Sequence, residues 1–243
     1  MSQSTSTTQA LDRAVTQGGS PLSIASGLRG RHLTRRLVQL YAGLALYGFS
    51  SILLLRSGLG LEPWNVLHQG LSERTGLSIG VVTTVLGALI LLVWIPIRQR
   101  PGLGTVSNVL VIGAAMDVSL AVLPEVHGLP ARIATMAAGI VLNGVATGLY
   151  IAARFGPGPR DGLMTGLHRL TGRSIRLVRT AIEVLVVATG FLLGGSVGVG
   201  TVLYAVAIGP LAQFFLRLFA VPEPDRVSTV VATGTPEQAI LRR

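Results

Sequence analysis

The chain has 243 residues, 49% of them hydrophobic and 12% charged, with a formal net charge of +10. Soluble domains carry about 25% charged residues, so this low share, with a mean hydropathy of +0.62, argues for a membrane protein. The 20 basic residues are all arginine and sit mostly between apolar runs rather than on one face, which argues against a nucleic-acid platform; without cysteine there is no disulfide, thiolate metal site or cysteine nucleophile.

Residues 1–35 are polar, have no apolar core of the kind a signal peptide needs, and read as a disordered cytoplasmic tail. Six apolar runs follow, at about 37–56, 78–97, 104–123, 132–153, 175–194 and 197–219. Each is long enough to cross a hydrocarbon core of about 30 Å at about 1.5 Å per residue. Residues 221–243 read as a second cytoplasmic tail. With the N-terminus placed in the cytoplasm, 17 of the 20 arginines fall inside, and only Arg56, Arg74 and Arg132 fall outside. Trp64, Trp94, Tyr150 and Phe155 fall near the predicted interfaces, as aromatic anchors would.

The sequence repeats. Sliding Arg36–Gly113 by 96 residues onto Arg132–Gly209 needs no gap and gives 24 identities in 78 positions. The ordered matches include Pro63/Pro159, Gly70/Gly166, Thr75-Gly76/Thr171-Gly172, Ser78-Ile79/Ser174-Ile175 and Gly104-Thr105/Gly200-Thr201. The units are 36–123 and 132–220, with three spans each. An odd number of spans makes the second unit enter from the opposite side, so the repeats are expected to be inverted. The expected fold is an all-α membrane protein of six transmembrane helices, built as two inverted three-helix repeats.

Between the first two spans of each unit lies a short amphipathic run, 63–75 and 159–171, opened by a proline suited to a first helical position. Each is about 20 Å long as a helix, too short to span. It either lies on the interface as a connector or dips inward as a re-entrant half-helix. Dipping would aim bare N–H groups and a positive helix start at an anionic group. The duplication favours a site, with Trp64, Asn65 and His68 at an outer half and Arg160 and Asp161 at an inner one. Asn65 and Asp161 are equally ordinary helix-start chemistry.

Polar residues inside spans need partners or a wet cavity. Asp117, Arg179 and Glu183 are candidate coupling charges, although Arg179 and Glu183 stand at i, i+4 and can form a simple bridge. Asn108 is a candidate solute contact, while Asn108, Asn143 and Gln213 also suit hydrogen bonds across helices. Gly43, Gly139, Gly48, Gly144, Gly194, Gly195, Gly198 and Gly200 suit close helix packing. No catalytic constellation, cofactor fingerprint or metal spacing is present, so an enzyme is not expected.

At GLGLEPWNVLHQGLS, GTVSNVLVIGAAMD, GPGPRDGLMTGL and GVGTVLYAVAIGP the chain resembles the YczE/YitT-type family of bacterial integral membrane proteins, over about Arg36–Ala220. The family's Pro-Arg-Asp-Gly-Leu-Met stands intact at Pro159–Met164, and its Gly-Thr-x-x-Asn and downstream Asp match Gly104, Thr105, Asn108 and Asp117. Its Gly-Pro-Trp-Asp is replaced by Glu62-Pro63-Trp64-Asn65, which removes a charge at position 65. The resemblance implies a bacterial inner-membrane protein and, from the pyridoxal-phosphate-type regulators that accompany the family, an amino-acid-like or vitamin-B6-like solute. The expectation is a secondary transporter or permease for a small polar solute, anionic or amino-acid-like in class, with both termini cytoplasmic. The expected partners are the lipid bilayer, the solute, and a second copy or a membrane subunit. The rival is a non-transporting subunit, sensor or scaffold, including the substrate-binding subunit of a vitamin importer that needs a partner ATPase.

Overall fold

The computed structural model describes residues 21–220, with side chains from Leu33 onward. The chain there is all helical: α1 (Pro21–Ser57), α2 (Pro63–Thr75), α3 (Ile79–Trp94), α4 (Leu103–Val122), α5 (Leu129–Ala152), α6 (Pro159–Thr171), α7 (Ile175–Leu192) and α8 (Val199–Phe219). Residues 21–35 belong to α1, so that part of the expected tail is helical. Residues 1–20 and the tail at 221–243 lie outside the described residues.

Four helices are long and apolar enough to cross a membrane: α1 from Leu33, α4, α5 and α8. The α2–α3 pair, bent by 114° at its break, makes a fifth if it counts as one broken span. The runs at 78–97 and 175–194 are shorter as helices than their hydropathy suggests. Helix α3 stops at Trp94 after 16 residues, and α7 has 18 residues with Arg176, Arg179 and Glu183 among them.

The local punctuation recurs at the 96-residue offset. Proline opens α2 and α6, and a left-handed glycine, Gly76 or Gly172, closes each. Ser78 and Ser174 accept from the N–H groups of Val81 and Leu177 and so cap α3 and α7. The hydroxyls of Thr105 and Thr201 accept from the N–H groups of Gly102 and Gly198 at the starts of α4 and α8.

Tertiary contacts recur with the two copies exchanging roles. Gly104 N–H donates to Phe155 O at 2.9 Å, and Gly200 N–H donates to Leu59 O at 2.8 Å. Arg36 donates to Ala153 O and Arg154 O, while Arg132 donates to Ser57 O and Gly58 O. Gly43 lies against Ala146 and Tyr150, and Gly139 against Leu54, which sets α1 and α5 antiparallel. Gly48 meets Ile112 and Met116 while Arg56 reaches Leu120 O, so α1 and α4 are parallel. Gly144 and Gly148 meet Leu211 and Phe215, so α5 and α8 are parallel too.

These glycines do what the sequence suggests: a Cβ at Gly43 would stand 2.8 Å from Tyr150 N, and one at Gly48 2.7 Å from the Ala115 Cβ. The short helices cross over between the copies. Helix α2 packs on α7, where Gly190 admits the backbone at Val66 and Leu67, and α6 packs on α3, where Gly162 admits the Trp94 ring. Two apolar clusters hold the bundle, one around Leu40, Leu44, Ile52, Ile112 and Met116, the other around Leu54, Leu61, Val66, Met136 and Ile140. The outer surface is apolar at positions such as Val118, Val122, Leu192, Val199 and Val206, as a lipid-facing surface requires.

The anchor assignment is corrected for three aromatics. Trp94 is 1% exposed and donates its indole N–H to Pro159 O at 3.1 Å. Trp64 and Tyr150 are buried as well, Trp64 with its ring against the Arg160 guanidinium and Tyr150 with its hydroxyl donated to Asp161 Oδ2. Phe155 is half-buried beneath the Arg36 guanidinium, 4.8 Å from its ring centroid.

Candidate functional site

A cavity of about 160 Å³ lies where all eight helices meet. Its wall takes Tyr47 from α1, Trp64 and His68 from α2, Thr83 from α3 and Asn108 from α4. The second half of the chain adds Tyr150 from α5, Arg160 and Asp161 from α6, Arg179 and Glu183 from α7, and Tyr204 from α8. The prolines at positions 63 and 159 explain why two helix starts can face it. Each begins a helix with no N–H to satisfy at its first residue, so α2 and α6 start inside the bundle rather than at its rim.

The α2 half is a closed hydrogen-bonded chain. Glu62, the residue before the helix, is 2% exposed; its Oε1 accepts from Ser51 Oγ at 2.7 Å and from Asn65 Nδ2. That bond turns the Asn65 carbonyl toward His68, whose Nδ1 lies 2.8 Å from Asn65 Oδ1 and 2.9 Å from Thr83 Oγ1. Thr83 spends its own proton on Ile79 O, at 2.8 Å. Both neighbours of Nδ1 therefore accept, which assigns a proton to Nδ1. Glu62 Oε2 and Trp64 Nε1 are buried with no hydrogen-bond partner among the described residues.

The α6 half is more open. Asp161 is exposed where it borders the cavity, and its Oδ2 accepts from Tyr150 Oη at 3.3 Å. Arg160 lies with its guanidinium carbon 5.0 Å from the centre of the Trp64 ring. Residues 64 and 160 are 96 apart, so equivalent positions of the two copies touch each other. Arg160 shares the cavity with Tyr47, Glu62, His68, Tyr150, Asp161 and Tyr204. Arg179 Nε and Glu183 Oε1 pair at 2.9 Å, with side chains 57% and 30% exposed.

Of the residues singled out in the sequence, Trp64, His68, Asn108, Arg160, Asp161, Arg179 and Glu183 all line this cavity. Asn65 stands behind it and links Glu62 to His68. Asp117 is elsewhere: it accepts from Ser78 Oγ at 2.6 Å and Gly80 N–H at 2.9 Å and so fastens α4 to the start of α3. Asn143 is a packing residue, accepting from Tyr204 Oη at 2.9 Å and donating to Ser50 Oγ at 3.0 Å. Glu62 and the tyrosines Tyr47, Tyr150 and Tyr204 are additions. The repeat held a signal for two of them, since Tyr204 stands 96 residues after Asn108 and Glu62 stands 96 before Gly158.

The chain belongs to a family described as a family of unknown function (DUF6198), whose model matches residues 34–217. It is 41% identical to an uncharacterized protein of Haemophilus influenzae over 73% of this chain and 81% of that one. It is 31% identical to the uncharacterized membrane protein YczE of Bacillus subtilis, over 76% of this chain and 87% of that one, in agreement with the sequence resemblance. A further relative, the uncharacterized protein YyaS of Bacillus subtilis, is 27% identical over 72% of this chain and 90% of that one. No solved structure matches.

Proposed function

We propose that this membrane protein is a secondary transporter of a small polar solute that works by alternating access between two inverted repeats. The observation that carries the reading is the cavity itself. It lies where two copies of one helical pattern meet, faced by two half-helix starts and lined by Glu62 and Trp64, each of which carries a buried polar atom with no hydrogen-bond partner among the described residues. Broken helices at the repeat interface are where secondary transporters hold their solutes. The antiparallel α1 and α5 and the role-exchanged contacts are what an internal two-fold axis in the membrane plane would produce. The six-span count then takes in α3 and α7, whose about 24–27 Å lengths fall a little short of the hydrocarbon core. Helices α2 and α6 are re-entrant in this reading, since Asn65, Val66 and His68 are almost fully buried.

The two sides differ in a way that suits one state of such a cycle. On the α2–α7 side, Arg74 donates to Leu193 O and Ser196 N–H donates to Gln69 Oε1. The residues equivalent to Arg74 and Gln69 are Leu170 and Thr165. Leu170 is exposed, and Thr165 turns its hydroxyl back to Gly162 O. The cavity is buried beside Glu62 and His68 and accessible at Asp161 and Arg179, which supports reading the form described as inward-facing if the arginine-rich α6–α7 side lies in the cytoplasm.

Counterflow in proteoliposomes with a panel of labelled small solutes tests the proposal. Arg160→Gln should abolish any exchange that the wild type catalyses. A protein that binds solute but moves none alone, and that co-purifies with an ATPase, would instead favour the rival binding-subunit reading.

A further inference from the structure

Most of the cavity's polar groups satisfy one another. Asp161 takes the Tyr150 hydroxyl, Glu183 takes Arg179, Glu62 Oε1 takes Ser51 and Asn65, and His68 Nδ1 is held by Asn65 and Thr83. Three groups stand out from the rest. Glu62 Oε2 is a carboxylate oxygen on a residue 2% exposed, with no hydrogen-bond partner among the described residues. Trp64 Nε1 is an indole donor on a residue 7% exposed, likewise with no partner among them. Arg160 makes its ring contact with Trp64 and, among the described residues, no hydrogen bond or ion pair, so its fork of donors is unspent. All three residues line the one cavity.

Buried polar atoms of this kind are satisfied in the working molecule, so the leftovers describe the occupant in negative. It must offer acceptors to a planar guanidinium and an indole N–H, which a carboxylate does best through paired bonds. It must also offer a donor to a carboxylate oxygen, which an ammonium does best. With Glu62 ionised, a plain anion would leave its Oε2 unpaired and be repelled by it, and a plain cation would leave Arg160 unpaired. The volume limits the size: about 160 Å³ is close to the roughly 150 Å³ that accepts a benzene-sized molecule, so the occupant has about six heavy atoms.

We propose that the cavity binds a small zwitterion, an amino acid of alanine size in class, with its carboxylate on Arg160 and Trp64 and its ammonium on Glu62. The proposal deepens the transporter reading and rests on the same cavity. Glu62 is the residue that makes the difference: the equivalent position in the second copy is Gly158, and the carboxylate that copy carries sits three residues later, at Asp161, already bound to Tyr150. The two copies thus supply opposite poles rather than two anion sites.

The test is equilibrium binding to the full chain in lipid nanodiscs, with L-alanine, propionate, ethylamine and glycerol as probes. Alanine should bind about tenfold or more tighter than propionate and ethylamine, because each analogue leaves one charged group unpaired. Glu62→Gln should remove that advantage, weakening alanine about tenfold while propionate, no longer repelled, binds at least as tightly as before. Arg160→Gln should weaken alanine and propionate together. Propionate or glycerol binding as tightly as alanine, no probe binding, or an equal loss of alanine and propionate in Glu62→Gln would each overturn the proposal. The wild-type comparison needs no variant to fold. Alanine that binds without counterflow would sink the transporter reading and leave this one standing. Counterflow of another solute, with no alanine bound, would do the reverse.

Discussion

Gly190 is where α2 closes against α7, and a single methyl there should open the outer side. A Cβ at Gly190 would stand 2.4 Å from Leu67 N and 2.5 Å from Val66 C. These are backbone atoms of a helix start and cannot swing aside as a side-chain tip would. Inserting a methylene into a packed contact costs about 1–3 kcal/mol. If that cost falls on the closed outer contact and is relieved when α2 moves away, the ratio of outward- to inward-facing molecules rises by about 5- to 150-fold. The chain has no cysteine, so a single thiol reports alone. Thr147 lines the cavity from α5, is half-buried, and takes part in none of the polar contacts described above. In Thr147→Cys, a membrane-impermeant thiol reagent should react mainly from the cytoplasmic face. Adding Gly190→Ala should shift labelling toward the outer face by at least about fivefold, the low end of that range. Unchanged labelling from both faces in a variant of wild-type melting temperature would refute the reasoning, as would faster cytoplasmic labelling.

Three further outcomes follow from the same contacts. Arg132→Ala removes charge-assisted bonds to Ser57 O and Gly58 O at the end of α1, each about 1.5–3 kcal/mol; it should lower the melting temperature in detergent by several degrees, and Arg36→Ala should do the same through Ala153 O and Arg154 O. Tyr204→Phe leaves Asn143 Oδ1 without its 2.9 Å donor in a fully buried place, a loss of about 1–3 kcal/mol, and should cost stability with less effect on solute affinity than Arg160→Gln. Asp117→Asn weakens the fastening of α3 to α4 and should reduce thermal stability while leaving the ion dependence of any counterflow as in the wild type; a changed ion dependence would restore it as a coupling residue.

The helix starts and ends were legible because proline, serine and glycine act locally. Pro63, Ser78, Gly76 and their equivalents mark in the sequence where the helices open and close in space. The paired half-helices were legible because they are duplicated. The aromatic anchors were misread because apolar span and buried polar site share one hydropathy signal: Trp64 and Trp94 look like interface residues until the fold brings α6 against both. That Asp117 stands outside the cavity was hidden for the same reason, since depth along a helix says nothing about which neighbour lies opposite. The three arginines outside the cytoplasmic count have a physical account that charge counting alone lacks. Arg56 reaches Leu120 O, Arg74 reaches Leu193 O and Arg132 reaches Ser57 O, so each spends its charge on carbonyls at or near a helix C-terminus.

If the repeats are related by a two-fold axis, as proposed above, the meeting of residues 64 and 160 also accounts for their divergence there. In a duplicated chain folded about a two-fold axis, equivalent positions close to the axis touch each other. Two arginines at that contact would repel in a place poor in water, and two tryptophans would leave Glu62 and Asp161 without the guanidinium beside them. Arginine over tryptophan resolves both, because the ring face attracts the guanidinium and leaves its N–H edge free. Once the axis is broken in this way, the neighbours are released from matching as well. Glu62 can carry a carboxylate opposite Gly158, and Asn65 can become the relay to His68 while Asp161 keeps its charge. A symmetric site would bind a symmetric ligand in two equivalent poses. The broken one gives a polar ligand a single orientation, so that exchanging the pair, as in Trp64→Arg with Arg160→Trp, should reverse the poles and lose affinity even though composition is unchanged. Binding of the wild-type ligand by the exchanged protein within about twofold would show that the axis contact sets no orientation.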